Sequence, residues 1–274
     1  MTSTVLITGC SSGFGKTTAE LFLERGWNVI ATMRAPGVSS LTPQERLMIA
    51  ALDVTNIESL SAAVTKGIAR FGRIDALVNN AGIGLFGAIE ATPDRLVRQV
   101  FETNTFGVIS TVRAIVPHMR ERGSGAIVNV TSSVGIAPMP LVAAYTASKY
   151  AIEGFSESLA YELAPFGVRV KIVQPGLAPS TSFTANSGRV ATSLVPEAYA
   201  AFANRYLKSM VDYPTAYTSA DDVAEAVYTA VAGDDPKLRK PAGADSEMLA
   251  ELRRSLSEPE FMGRMRAMFM SRAA

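Results

Sequence analysis

Six short apolar runs recur between Val5 and Val173, most of them separated by a helical stretch. They cover residues 5–7, 28–32, 47–52, 74–78, 126–130 and 168–173. Continuously apolar strands are the mark of a sheet buried on both faces, as parallel sheets are. Helices are expected over residues 17–25, 57–71, about 93–119 and 143–163. A parallel pair needs a crossover between its strands, and a helix is the usual one. The pattern therefore predicts an α/β fold, a doubly wound parallel sheet with helices on both faces. At 274 residues and 48% hydrophobic content, one such domain can bury its own core.

Ligands of such sheets sit at the carboxyl ends of the strands, and here special residues follow almost every strand. After the first comes Thr8-Gly9-Cys10-Ser11-Ser12-Gly13-Phe14-Gly15, then a helix. Glycines allow a tight turn, and a helix N-terminus offers unpaired N–H groups to a pyrophosphate. The spacing is Gly-x-x-x-Gly-x-Gly, not the common Gly-x-Gly-x-x-Gly, and an ordinary Gly/Ser-rich turn is the plain alternative. After the second strand stands Arg34, with no acid beside it. An acid there would hold the ribose 2′-hydroxyl of NAD, whereas a guanidinium suits the 2′-phosphate of NADP. Asp53 and Val54 follow the third strand. Asp53 could accept from an adenine amino group or assist the next helix N-terminus, for which Thr55-x-x-Glu58 reads as a capping box. The fourth strand ends in Asn79-Asn80-Ala81-Gly82, the fifth in Thr131-Ser132-Ser133, the sixth in Pro175-Gly176. Periodicity does not require such residues to gather at one edge, so their gathering marks a site.

Thr92-Pro93 would open the third helix with proline at its first position. Asn104 stands near the middle of that helix with Gly107 three residues on, and both weaken it. Such a local conflict often marks function. Tyr145 and Lys149, four residues apart, share a face of the fourth helix. A fixed ammonium favours the phenolate and would bring the phenol down from about 10 towards neutral pH. On spacing alone, a surface lysine beside a packed tyrosine is the better account; the neighbouring motifs reverse that preference.

The formal charge of +1 and the lack of a basic or aromatic cluster point away from nucleic acid. The single cysteine, Cys10, allows no internal disulfide and suggests a reducing, cytoplasmic setting. No signal peptide and no membrane-spanning run is expected. The single histidine, His118, rules out a multi-histidine metal site and reads as structural, so no metal is expected. The layout expected is one domain over 1–274: a dinucleotide-binding core with the catalytic residues over 1–176, an irregular substrate loop over 177–218, and C-terminal helices over 219–274. In the last part Ser219-Ala220-Asp221-Asp222 caps a helix, residues 238–243 suit a final strand, and Met262, Met265, Met268 and Met270 give an adaptable apolar surface.

Taken together, Thr8-Gly9-x-x-x-Gly13-x-Gly15, Asn79-Asn80-Ala81-Gly82, Asn104, Ser132, Tyr145-x-x-x-Lys149 and Pro175-Gly176 resemble the short-chain dehydrogenases/reductases. The motifs stand in the family's order, and Ser132 lies thirteen residues before Tyr145. The segment Lys240-Pro241-Ala242-Gly243-Ala244-Asp245 is similar to the branch containing hydroxysteroid and retinol dehydrogenases and bacterial carbonyl reductases. The resemblance implies a Rossmann-like fold and hydride transfer between a nicotinamide cofactor and a small-molecule ketone or secondary alcohol; Arg34 favours NADP(H), and the apolar, aromatic residues of 177–218 favour a bulky apolar substrate. It implies that Tyr145 is the general acid or base, that Lys149 lowers its pKa and holds the nicotinamide ribose, that Ser132 binds the substrate oxygen, and that Asn104 positions a relay water. It implies that Gly9, Ser11, Ser12, Gly13 and Phe14 surround the pyrophosphate, that Asp53 and Val54 contact adenine, that Asn80, Ala81 and Gly82 face the ribose, and that Pro175 and Gly176 lie along the nicotinamide. It also implies a homodimer or homotetramer. The family's threonine for the nicotinamide amide is replaced by Ser180, with Thr181 next to it, and either hydroxyl could serve. Two other functions predict different sequence features. A nucleotide-binding regulator without turnover would lack a catalytic residue, and a nucleotide-sugar epimerase would show other glycine spacing and a larger C-terminal domain.

Overall fold

The computed structural model describes residues 2–179, 194–211 and 213–270. Among them, seven strands form one parallel sheet: β1 (Thr4–Thr8), β2 (Asn28–Met33), β3 (Leu47–Ala51), β4 (Ala76–Asn79), β5 (Gly125–Val130), β6 (Val168–Pro175) and β7 (Arg239–Ala242). Their order is β3-β2-β1-β4-β5-β6-β7. The helices are α1 (Gly13–Glu24), α2 (Ile57–Phe71), α3 (Asp94–Phe101), α4 (Gly107–Arg122), α5 (Ala143–Leu163), α6 (Glu197–Val211), α7 (Ala220–Ala232), α8 (Ala244–Ser255) and α9 (Glu258–Met270).

The apolar runs are continuous because both faces are covered. Val5, Ile7, Val29, Ala31, Val78 and Val128 pack with Phe22 of α1 and with Val223 and Val227 of α7. The alternate residues Leu6, Ile30, Leu77 and Ile127 pack on the other face with Val112 and Ile115 of α4 and with Leu159 and Leu163 of α5. The chain winds from β1 outward to β3, then returns to place β4 on the other side of β1. The carboxyl ends of β1 and β4 thus lie side by side where the winding reverses, which is where such sheets open a crevice.

Four local expectations are corrected. The helix read over 93–119 is two helices joined by a π-helical turn, Glu102–Phe106, in which the Gly107 N–H reaches the Glu102 carbonyl five residues back. The added residue lets the buried Asn104 bond to a neighbouring loop and to α5. Proline is not the first residue of α3: Pro93 is extended and stands just before it, while the Thr92 hydroxyl donates to the Ala88 carbonyl. The Thr55/Glu58 capping box does not form. Asn56 caps α2 by accepting from Ser59 N at 2.7 Å, and the Thr55 hydroxyl turns to Asp53 instead. Finally, the stretch read as an irregular loop contains the 15-residue helix α6, anchored by the buried Ala203 and Tyr206. Residues three apart share a helix face, which explains the anchoring. The Ser219 cap of α7 forms as expected, with Asp222 answering it.

Candidate active site

The loop after β1 is compressed against the loop after β4. Gly9 and Gly13 have φ of 78° and 55°, which side-chain-bearing residues rarely adopt. A Cβ at Gly9 would come within 2.9 Å of Ala81 Cα, and one at Gly15 within 2.3 Å of the Gly9 carbonyl oxygen. The Asn80 side chain braces this contact, donating to the carbonyls of Thr8 at 2.9 Å and Gly9 at 3.2 Å. The Thr8 hydroxyl accepts from the N–H groups of Asn80 and Ala81, both at 3.0 Å. The amide nitrogen of Asn80, expected at a ribose, is thus bonded to the glycine loop. Ser11 and Ser12 are exposed at the loop, while Phe14 leans on the core. No acidic residue stands in the first turn of α1, so its N-terminal field is not offset from within the helix.

Arg34 is exposed directly after β2. Its neighbour Asp53 accepts from the Thr55 N–H at 2.9 Å and the Thr55 hydroxyl at 2.8 Å. These bonds hold its carboxyl below the usual range, partial burial opposes them, and the Arg34 charge adds to the lowering. Val54 is buried against Gly107, where an added Cβ would come within 2.7 Å of its methyl. Its side chain therefore belongs to the core beneath α4.

Tyr145 and Lys149 occupy the first two turns of α5 and are both buried. Burial pushes the Tyr145 phenol up to about 12, against a hydrogen bond with Ser132 that pulls it down. This is opposite to the shift expected from the pair. The lysine Nζ lies 5.9 Å from the ring centroid and donates to the Val130 carbonyl at 3.0 Å. Burial in turn brings Lys149 down to about 8, with the Glu153 charge acting against that fall. Asn104 reaches across: it accepts from Ile83 N at 2.9 Å and donates to Ile83 O at 2.9 Å and to the Ser148 hydroxyl at 3.2 Å. A Cβ at Gly82 would lie 3.3 Å from Asn104 Oδ1 and 3.6 Å from Lys149 Nζ, so that glycine keeps the two side chains close.

Beside Tyr145 lies a buried apolar cluster. Tyr145 shares one cluster with Leu85, Val134, Met139, Phe261, Met265 and Phe269. Phe86 stacks on Tyr206 at 6.3 Å, and Tyr206 meets Phe269 edge-on at 5.7 Å.

Residues 3–190 match the family described as short chain dehydrogenase. The chain belongs to this family. It is 43% identical to 3-ketodihydrosphingosine reductase of Bacteroides thetaiotaomicron over 66% of either chain, just short of two thirds of that relative's length. It is 33% identical to Retinol dehydrogenase 8 of Bos taurus over 86% of this chain and 80% of that one. A solved short-chain dehydrogenase from Streptomyces avermitilis superposes with a TM-score of 0.79 at 34% identity, covering 96% of this chain and 98% of its own. A short-chain dehydrogenase from Burkholderia cenocepacia was solved in complex with NADP (25% identity, TM-score 0.77, 99% and 98% covered). A 3-ketoacyl-(acyl-carrier-protein) reductase from Brucella melitensis was solved with NADH (26% identity, TM-score 0.73, 89% and 98% covered).

The chain is thus a short-chain dehydrogenase, an oxidoreductase with a nicotinamide cofactor. Its own residues fit that group. The glycine loop has no room for side chains on its inner side, and it leads into a helix N-terminus without a carboxylate of its own. Bare backbone amides at such a terminus suit a pyrophosphate. The turn after β6 is equally constrained. The Gly176 N–H donates to the Ala242 carbonyl and the Thr218 hydroxyl, both at 3.1 Å, and a Cβ there would overlap the Asp245 carboxylate at 1.9 Å. Asp245 is fully buried and accepts from Leu177 N at 2.5 Å and from the Thr218 hydroxyl at 2.6 Å. Sequence reasoning did not single out Asp245, Thr218 or Glu153. For Glu153 a signal was present, because it continues the four-residue spacing of Tyr145 and Lys149. Ser180 and Thr181 lie outside the described residues. His118 is structural as expected, its Nε2 accepting from Ile74 N at 3.1 Å.

Proposed function

We propose that this short-chain dehydrogenase is an NADP-dependent carbonyl reductase or alcohol dehydrogenase for a bulky apolar ketone or secondary alcohol. The observation that carries the proposal is the hydrogen-bonded Ser132–Tyr145 hydroxyl pair, set against a buried apolar cluster. Two hydroxyls side by side can both donate to one substrate oxygen, and donors aimed at developing negative charge are commonly the largest catalytic contribution. Tyr145 then releases its proton to that oxygen, or takes it back in the oxidative direction. Lys149, held on the Val130 carbonyl, supplies the positive charge that steadies the phenolate. Asn104 fixes the loop at Ile83 and the helix at Ser148, and so keeps Gly82 and Lys149 in register for proton relay. The bound nicotinamide supplies or accepts the hydride.

Gly9, Ser11, Ser12, Gly13 and Phe14 would hold the pyrophosphate through backbone and hydroxyl groups. Arg34 would take the 2′-phosphate. Asp53 and Val54 would border the adenine, Asn80, Ala81 and Gly82 the ribose, and Pro175 and Gly176 the nicotinamide. Relatives named for 3-ketodihydrosphingosine and for retinol support a large apolar substrate. On this reading residues 1–176 form the cofactor and catalytic core, and 177–274 cover the substrate. The same proposal places the enzyme in the cytoplasm as a homodimer or homotetramer.

Purified protein is expected to consume NADPH with aryl or cyclic ketones. Tyr145→Phe should lower kcat about a thousandfold, and undiminished turnover would remove Tyr145 from its role. Arg34→Ala should raise KM for NADPH roughly tenfold through loss of a charged contact, with little change for NADH. An equal rise for both cofactors would refute the phosphate contact.

A further inference from the structure

Lys149 and Glu153 stand one turn apart on α5 and grip consecutive residues at the end of β5. Lys149 holds the Val130 carbonyl, and Glu153 Oε1 accepts the Thr131 hydroxyl at 2.6 Å. Thr131 directly precedes Ser132. The same oxygen accepts the Gln174 amide at 3.0 Å, and Gln174 directly precedes Pro175-Gly176. Oε2 accepts from Arg239 Nε of β7 at 2.7 Å, and Arg239 also bonds Glu157 at 2.5 Å. Glu153 is buried, and a Cβ at Gly135 would come within 2.9 Å of Oε1, so the turn following Ser132 closes down on the carboxylate. A buried charge with donors from three strands is fixed in place, because losing any one of them leaves it undercompensated.

We propose that Glu153 is a positioning residue of this site: it locks Ser132 and the Pro175-Gly176 turn to the helix of Tyr145 and Lys149, and it is the buried counter-charge of Lys149. The kinetic part rests on the reading of Tyr145 and Lys149 as the proton-transfer pair; the counter-charge part does not. The titratable groups around the pair are Tyr145, Tyr150 and Glu157 on α5, Arg239 on β7, and Arg253 of α8, which acts on Tyr150. Arg239 bonds the carboxylate whose charge acts on Lys149.

The test is the titration of Lys149 in the cofactor-free protein, followed by NMR of lysine labelled at the ε-carbon. Glu153→Gln should move it down by about one pH unit, since an opposite charge is lost. Arg239→Gln should move it up, because the carboxylate then acts on Lys149 alone. A merely structural role would not shift the two variants in opposite directions; no shift in Glu153→Gln, or shifts of one sign in both, would overturn the counter-charge. Glu153→Asp should keep the lysine titration near the parent value yet leave the shorter carboxylate short of Thr131. Both Glu153 variants should therefore lose kcat about a hundredfold through misplacement while KM for the ketone stays within about threefold. Parental kcat in either would overturn the positioning role. Should Glu153→Gln fail to fold, Arg239→Gln and Glu153→Asp decide the matter by the same readings. If the parent enzyme turned over no ketone, the proposed reaction would fall while the titration still judged the counter-charge.

Discussion

Burial moves the two central side chains in opposite senses, with Tyr145 pushed up to about 12 and Lys149 down to about 8. The phenol therefore stays protonated throughout the neutral range, and Lys149 keeps its charge only below about pH 8. For reduction the tyrosine needs no activation to become a donor. Loss of the ammonium, however, removes the charge that steadies the phenolate formed. Because kcat/KM reports the ionisations of the free enzyme, kcat/KM for NADPH in ketone reduction should be flat around neutrality and decline as pH rises through about 8. Oxidation needs the phenolate and should gain with pH up to about 8, while Lys149 still carries its charge, and level off above it. A reductive kcat/KM that climbs from pH 7 to 9 would contradict the assignment of Lys149. At this scale the sequence told which side chains meet, since a four-residue helical spacing fixes adjacency. It did not tell the direction of the phenol's shift. That depends on the depth of burial and on the opposing hydrogen bond with Ser132, neither of which is written in the spacing.

The π-helical turn shows how one element is bent to serve a neighbour. An extra residue per turn usually weakens a helix, and such turns recur at functional sites. Here it turns Asn104 inward, where its amide satisfies both backbone groups of Ile83 and reaches Ser148. Asn104→Ala leaves buried backbone groups of Ile83 without these partners. The expected loss of stability is about 1–3 kcal/mol, measured by denaturant unfolding, together with faster amide exchange at Ile83. Asn104→Asp should fall between, because a carboxylate still accepts from the Ile83 N–H but cannot donate to its carbonyl. Unchanged exchange at Ile83 in the alanine variant would show that Asn104 does not hold the loop. The weakness of this helix was legible in the sequence as an asparagine and a glycine where neither belongs. The register shift was not, because its cause is a loop twenty-one residues earlier. By contrast, α5 was legible from end to end, its apolar stripe being unbroken from Ile152 to Leu163. Helix α6 was hidden because only Ala203 and Tyr206 are buried along it, too few to show a period against the Pro, Ser and Thr before it.

Across the whole molecule, the parallel sheet brings the endings of β1 to β6 to one edge, and segments far apart in sequence assemble the apolar cluster. The first was legible because each strand carries its own functional ending. The second was not, because Phe86, Tyr206, Tyr213 and Phe269 come from parts of the chain far apart in sequence and meet only in the folded structure. Tyr213 lies parallel to Phe269 at 6.5 Å, which in turn meets Tyr206 edge-on. Phe269 is thus the joint of the aromatic group, and it belongs to the same cluster as Tyr145. If this cluster borders the substrate, loosening this joint should matter in proportion to substrate size. Phe269→Leu keeps an apolar side chain in the core but removes both ring contacts. It should lower kcat/KM for a large polycyclic or long-chain ketone about tenfold, since lost apolar contact in a pocket is worth roughly 1–3 kcal/mol. A small ketone that fills only the space near Ser132 and Tyr145 should change by less than about threefold. Because the proton donor is untouched, the loss should lie mainly in KM for the large substrate, with kcat for the small one preserved. Equal losses for both sizes would place the effect in general stability, and the cluster would then not be what distinguishes one substrate from another.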